Sequence, residues 1–267
     1  MAGPEEAALR RVAAWRPHAA AVYGSGLWAL PEGASVVEEL PYSALGWPTG
    51  AVPGHHNVLR LARVPVADGP ELRLALACGR PHRYEGWTDA ELEAPVRALA
   101  RAGVRRLVLT NSCGALRLGV AVGGAVVCAG VVDLQRPPED ETPECLRVCT
   151  DEEAARVAAA LGVDAAEGAG TYVSVCGPQF ETPAEVAWLG GYGDVVGMSA
   201  APEVRAAGES GVECCLLALV ANVAAAVGSH DDVLAAGGRL ARLLAAGLVD
   251  ALVARWPDLL DAPRGGE

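Results

Sequence analysis

Short apolar runs alternate along this chain with stretches of helical period. The runs Ala19–Tyr23, Leu72–Cys78, Leu107–Thr110, Ala125–Val132, Thr171–Cys176, Asp194–Met198 and Glu213–Val220 each predict a buried strand. Between and after them, Glu91–Ala102, Glu152–Leu161, Ala184–Leu189, Pro202–Ala207 and the long Asp232–Arg255 predict helices. A further helix near the start carries Arg10, Arg11 and Arg16. Alternation of this kind implies an α/β sheet with helices on both faces.

Composition narrows the class. At 267 residues the chain fits one large domain, and with 52% hydrophobic residues but a single Phe its core is built from Ala, Val and Leu. No internal repeat or low-complexity linker divides it, so residues 1–267 read as a single domain. A net charge of −12 excludes a nucleic-acid backbone as partner, yet leaves room for a small anion held by a local cluster. The first residues lack the basic start of a secretory leader. The longest uncharged stretch, Cys214–Ser229, is too short to span a membrane and contains Asn222. The eight cysteines are scattered, mostly in apolar runs, and complete no zinc spacing. A reduced, cytoplasmic protein without a metal site is the expectation.

Ligands of open α/β sheets gather at the carboxyl ends of strands. Here those ends carry Gly24-Ser25-Gly26, Gly79-Arg80, Asn111-Ser112-Cys113-Gly114, the Gly177–Thr182 turn, Ser199 and Asn222. The densest chemistry lies between Gly79 and Trp87: a guanidinium (Arg80), an imidazole (His82), a phenol (Tyr84) and a carboxylate (Glu85), on a turn shaped by Pro81. Arg and His grip an oxyanion, Tyr holds a hydroxyl, and Glu orients the His. Ser112, Ser199 and the Gly-Ser-Gly turn add hydroxyls and backbone N–H groups suited to phosphate. His55 and His56 compete for one role, and Glu203 and Arg205 read as charges suited to a helix start. Gly24-Ser-Gly-Leu-Trp-Ala29 also fits a dinucleotide fingerprint, which would point to a nicotinamide oxidoreductase. Against that, Pro31 and Gly33 interrupt the helix it requires, and Glu38 and Glu39 come too early.

Taken in order, Gly24-Ser25-Gly26, Pro53-Gly54-His55, Gly79-Arg80 through Gly86, Thr110–Gly114, Gly177–Glu185, Val196–Ser199 with Pro202-Glu203, Asn222 and His230 resemble the trimeric type of purine nucleoside phosphorylase. That resemblance, to the nucleoside phosphorylase family, implies a three-layer α/β/α domain with a mixed, twisted central sheet. It implies phosphorolysis of a purine nucleoside to free base and pentose 1-phosphate, with inorganic phosphate as co-substrate. No metal or organic cofactor and a homotrimer go with it. By position, Ser25, His55, Arg80, His82 and Ser199, with the backbone around Ser112, would hold phosphate. Tyr84, Met198 and His230 would line the sugar, while Glu181 and Asn222 would read the purine edge with Phe180 packed on the ring. His82, Glu85 and Asn222 form the implied catalytic set, Glu85 positioning His82. A carboxylate at Glu181 accepts from the N1–H of a 6-oxopurine, so inosine or guanosine is the expected substrate.

Four features depart from the family pattern. A short Pro137–Pro143 segment stands where relatives carry a long loop that sends an aromatic residue into the neighbouring subunit's sugar site, and no Phe exists here for that part. The Asn222-to-His230 connection is shorter, Ala221 and Val223 replace a hydroxyl and a basic residue, and Ser112-Cys113 replaces two small residues. These changes leave a 5′-modified nucleoside, or a non-catalytic nucleoside-binding role, as alternatives.

Overall fold

The computed structural model describes the chain apart from residues 1–2, 25–26, 68, 118, 137–141, 164–168, 225–229 and 262–267, and apart from the side chains of residues 230–237 and 239–240. Ser25, most of the Pro137–Pro143 segment and the His230 side chain therefore lie outside the described residues. The elements run α1 (Pro4–Trp15), β1 (Ala19–Tyr23), β2 (Ser35–Pro41), β3 (Val58–Val64), β4 (Leu72–Cys78), α2 (Asp89–Arg101) and β5 (Arg106–Ala115). They continue with β6 (Ala125–Asp133), β7 (Glu144–Arg147), α3 (Asp151–Ala160), β8 (Gly170–Ser174), α4 (Pro183–Leu189), β9 (Val195–Gly197), α5 (Ala201–Glu209), β10 (Glu213–Val223) and α6 (His230–Arg255).

The strands form one mixed sheet in the order β10-β6-β8-β9-β5-β1-β4-β3-β2, with β7 on β6. The apolar runs β1 and β4 pair in parallel near its middle, their residues almost all buried. On one side β4, β3 and β2 continue as an antiparallel meander to an edge. On the other side β10 pairs with both β6 and β5, so β5, β10, β6, β8 and β9 close on themselves. Helix α2 packs against both α1 and α5, and α3 packs against α6, which gives the expected helical layers flanking the sheet. Helices α2, α3 and α4 each begin with a Thr-x-x-Glu box whose Thr and Glu satisfy each other's backbone N–H.

Several expectations change. Strands β2 and β3 escape the apolar pattern because β2 is a largely exposed edge and β3 carries Arg60 at an inner position. Arg60 is tolerated there because it lies 3.1 Å over the Trp28 ring and its Nε donates to Glu39 at 2.8 Å. The N-terminal helix stops at Trp15, and Arg16 is its left-handed cap. Strand β5 runs on to Ala115 and β10 to Val223, so Asn111–Gly114 and Asn222 lie on strands rather than turns; the closed part of the sheet supplies partners on both sides of β5. Arg205 is no surface charge. It is buried, donating to Asp133 at 2.5 Å and Glu144 at 2.6 Å, with Glu93 close by. Burial works against its charge, and the two carboxylates more than offset that, so its pKa is raised.

Candidate active site

A cavity of about 250 Å³ opens where the chain leaves β1 and β4 and where β5, β9 and β10 run out. His55, Arg80, His82, Tyr84, Ser112, Phe180, Glu181, Met198, Ser199 and Asn222 all line it. Residues more than 140 positions apart in sequence, Arg80 and Asn222, thus face one space. Glu85 does not reach the cavity and stands behind His82 instead.

The anion end is built around Arg80, which is 3% exposed. Its Nε donates to Glu203 Oε1 at 2.9 Å and its Nη1 to the Thr110 carbonyl at 2.8 Å. The remaining Nη2 is buried with no protein partner. Thr110 is itself pinned, its hydroxyl donating to the Val22 carbonyl at 3.0 Å and accepting from Gly24 N–H at 3.3 Å. An unpartnered buried guanidinium N–H is costly unless a ligand answers it, and an oxyanion is its natural partner.

Two imidazoles flank it. The Arg80 backbone N–H donates to His55 Nδ1 at 2.6 Å, which leaves the proton of neutral His55 on Nε2. His56 turns away and stacks on Trp28 with ring centroids 3.6 Å apart, so the choice between the neighbouring histidines falls on His55. Glu85 accepts from the His82 N–H at 2.7 Å and from the Ala51 N–H at 2.5 Å, and its Oε2 lies 3.3 Å from His82 Nδ1. Burial alone would raise the Glu85 pKa, but the hydrogen bonds from the His82 side chain and from the Ala51 and His82 backbones lower it. The charged carboxylate therefore holds His82 with Nδ1 protonated and Nε2 free to meet a ligand. Ser199 completes this end; the Ser174 hydroxyl donates to its carbonyl at 2.8 Å, and the next residue, Ala200, takes an uncommon φ of 75°.

The opposite end is less charged and more open. Tyr84 stacks on His82 at 4.9 Å, and burial, with help from the Glu85 charge, pushes its phenol up to about 12. Gly177 has φ of 74°, and a Cβ there would lie 2.3 Å from Met198 Sδ and 3.1 Å from Tyr84, so only glycine lets this turn close over both. From that turn Phe180, 44% exposed, and half-buried Glu181 reach the cavity. Burial raises the Glu181 pKa and the Glu185 charge adds to it, against a backbone hydrogen bond that lowers it. Across the space, Asn222 on β10 has its Nδ2 3.2 Å from the Val223 carbonyl.

Glu203 and Thr110 both bond Arg80, and the sequence reading gave neither a part in the site. Glu203 is not merely a helix-start charge: it is buried and holds Arg80. Its place beside Pro202, just after Ser199, was the available signal. The dinucleotide reading lacks its helix in the structure: among the described residues after Gly24, 27–34 form no helix and lead through a turn to the edge strand β2. Among the described residues no group of three or more His, Cys, Asp or Glu is placed to hold a metal ion.

A family model described as "Phosphorylase superfamily" matches residues 49–254. A purine nucleoside phosphorylase of a Cellulomonas species is 37% identical over 239 residues, covering 85% of this chain and 84% of that protein. One of Mycobacterium tuberculosis is 35% identical over 260 residues, 95% of this chain and 91% of its own length. Among solved structures, isoform 2 of purine nucleoside phosphorylase from Schistosoma mansoni in complex with cytosine and ribose-1-phosphate superposes with a TM-score of 0.70 at 26% identity, covering 98% of this chain and 96% of that one. A Schistosoma purine nucleoside phosphorylase in complex with guanosine shares the fold, with a TM-score of 0.73 at 24% identity over 95% of this chain and 96% of that one.

Proposed function

The chain belongs to the Phosphorylase superfamily, and we propose that it is a purine nucleoside phosphorylase, using inorganic phosphate to cleave a purine nucleoside to free base and pentose 1-phosphate. One observation carries the reading at the level of residues. A single cavity joins the unpartnered Arg80 guanidinium, flanked by His55, His82 and Ser199, to the carboxylate and carboxamide of Glu181 and Asn222.

Cleaving an N-glycosidic bond builds positive charge on the sugar and negative charge on the departing purine. Phosphate held by Arg80, His82, His55 and Ser199 beneath the anomeric carbon stabilises that cation and then captures it. By the sequence resemblance, Ser25 and the backbone around Ser112 would add further contacts to the phosphate. Asn222 donates to the purine N7 as charge arrives there, and Glu181 accepts from N1–H, a proton adenine lacks. Tyr84, Met198 and Phe180 line the cavity, where by the sequence resemblance the first two would flank the pentose and Phe180 would pack on the base, with His230 assigned to the 5′ position by that resemblance alone. Glu85 acts through His82, as a positioning residue.

The whole chain is read as one catalytic domain working with no further cofactor, in a homotrimer. The exposed Trp188 and Phe180 beside the cavity mouth are in keeping with a subunit contact there. Eight free cysteines support a reducing, cytoplasmic setting, and no helix among the described residues is long and apolar enough to cross a membrane. Incubation with inosine, guanosine, adenosine and 5′-deoxyinosine, with and without phosphate, tests the function. Base release that requires phosphate and favours the 6-oxopurines is expected. Failure to release base from any of them would leave a binding role, and a preference for the 5′-deoxy analogue would point to a modified nucleoside.

A further inference from the structure

Residues 50–57 bring Val52 and His55 to the cavity on a loop outside the regular elements. The Asn57 side chain closes the neck of this loop. Its Oδ1 accepts from the Gly50 N–H at 3.0 Å, and its Nδ2 donates to the Gly50 carbonyl at 2.9 Å. One carboxamide thus answers both backbone groups of the residue seven positions before it. Asn57 has φ of 54°, a left-handed conformation that asparagine adopts more readily than most residues with a side chain.

The neck is packed on the backbone of the anion grip. A Cβ on Gly50 would lie 2.6 Å from the Arg80 carbonyl oxygen, and one on Gly79 would lie 2.9 Å from Asn57 N. The Tyr42 N–H donates to the Asn57 carbonyl at 2.9 Å, while the Tyr42 hydroxyl donates to the Gly79 carbonyl at 2.8 Å. Both ends of the loop therefore have a fixed place beside the residues that lead into Arg80.

Between those ends little apolar packing holds the loop: Ala51, Pro53, Gly54 and His56 are exposed. Its shape rests on directed contacts, with Ala51 N–H on Glu85 at 2.5 Å, His55 Nδ1 on the Arg80 N–H at 2.6 Å and the His56 ring on Trp28. A segment of few buried contacts opens easily unless such bonds tie it down. A ligand-binding side chain carried on it is only as well aimed as its support. Resting on the phosphorylase reading, we propose that Asn57 is a positioning residue for phosphate, clamping Gly50 so that the loop presents His55 to the anion.

The test compares the unaltered chain, Asn57→Gly, His55→Ala and the double variant, each checked for folding by its melting temperature. Glycine keeps the left-handed backbone and removes both bonds to Gly50. In Asn57→Gly the KM for phosphate at saturating inosine, and the Kd for inorganic phosphate by titration calorimetry, should rise about tenfold, with the KM for inosine changed by less than about twofold. In the His55→Ala background the same substitution should change phosphate binding by less than about twofold, since the residue it acts through is gone. An equal rise in KM for inosine, or the same loss in both backgrounds, would overturn the inference. Should Asn57→Gly fail to fold, Asn57→Ser decides by the same readings, because its hydroxyl is too short to bridge both Gly50 groups. Phosphate-dependent base release with phosphate binding unchanged by the substitution would overturn this inference alone. A chain that neither binds phosphate nor releases base with it would overturn the phosphorylase reading and this inference together.

Discussion

Arg80 Nε donates to Glu203 at 2.9 Å across 123 residues of chain, and the two side chains are 3% and 10% exposed. The contact aims the guanidinium: with Nε on Glu203 and Nη1 on the Thr110 carbonyl, Nη2 is the one nitrogen with no protein partner. Removing the carboxylate in Glu203→Ala leaves a buried cation uncompensated, at a cost of about 3–5 kcal/mol in stability. In Glu203→Gln one acceptor survives. That variant should fold and show a KM for phosphate raised about tenfold, with a smaller change for nucleoside, as expected for one misaligned contact of about 1.4 kcal/mol. Steady-state kinetics with each substrate varied separately checks this; equal effects on both would mean that Glu203 serves the fold alone.

At the other end of the cavity, Glu181→Ala and Asn222→Ala should each lower kcat/KM for inosine by about 2–4 kcal/mol of transition-state binding. Glu181→Gln should in addition narrow the gap between inosine and adenosine, since an amide no longer requires a proton on N1. Kinetics unchanged in either alanine variant would remove that residue from the site.

The two glutamates differ in pH response. Burial raises the Glu181 pKa, so as pH falls its carboxylate is lost before that of an ordinary glutamate, and phosphorolysis of 6-oxopurines fails with it. Glu85 is shifted the other way by hydrogen bonds from His82 and Ala51, which outweigh its burial. Its contribution to stability is present above the ordinary carboxylate range and is lost as pH falls through its lowered value. The acid limb of kcat/KM for inosine should therefore follow Glu181 while the fold is still intact. That limb should move in Glu181→Gln, as pH profiles of the two proteins will reveal; coincident limbs would assign it elsewhere.

Arg205 supplies a purely structural contrast. Its partner Asp133 has a fully buried side chain, and Arg205→Met would strand that charge, at about 3–5 kcal/mol. Thermal melts should show the loss, while the folded fraction keeps its KM for phosphate, because Arg205 does not line the cavity. A raised KM would tie this ion cluster to the site.

Much of this was legible in the chain itself. The runs that became β1 and β4 are apolar and bounded by turn residues, and Arg80 and His82 of the Gly79–Trp87 turn, singled out by residue type and neighbours, both line the cavity. What pattern could not reach is long-range pairing. Strand β3 hides its character because the charge of Arg60 is answered by Trp28 and Glu39 from elsewhere. The extension of β5 through Asn111–Ala115 depends on β10 and β9, not on local propensity. Glu203 reads as an ordinary helix-start carboxylate until the fold sets it against Arg80. The exclusion of His56 in favour of His55 likewise needed the Trp28 ring in place.

Whether an inorganic dianion captures the sugar is read most directly by following inosine turnover with phosphorus NMR. Pentose 1-phosphate forming in step with hypoxanthine, and neither product without phosphate, is the result expected of the Arg80–His82 grip facing Glu181 and Asn222. Free pentose appearing with hypoxanthine in phosphate-free buffer would contradict it.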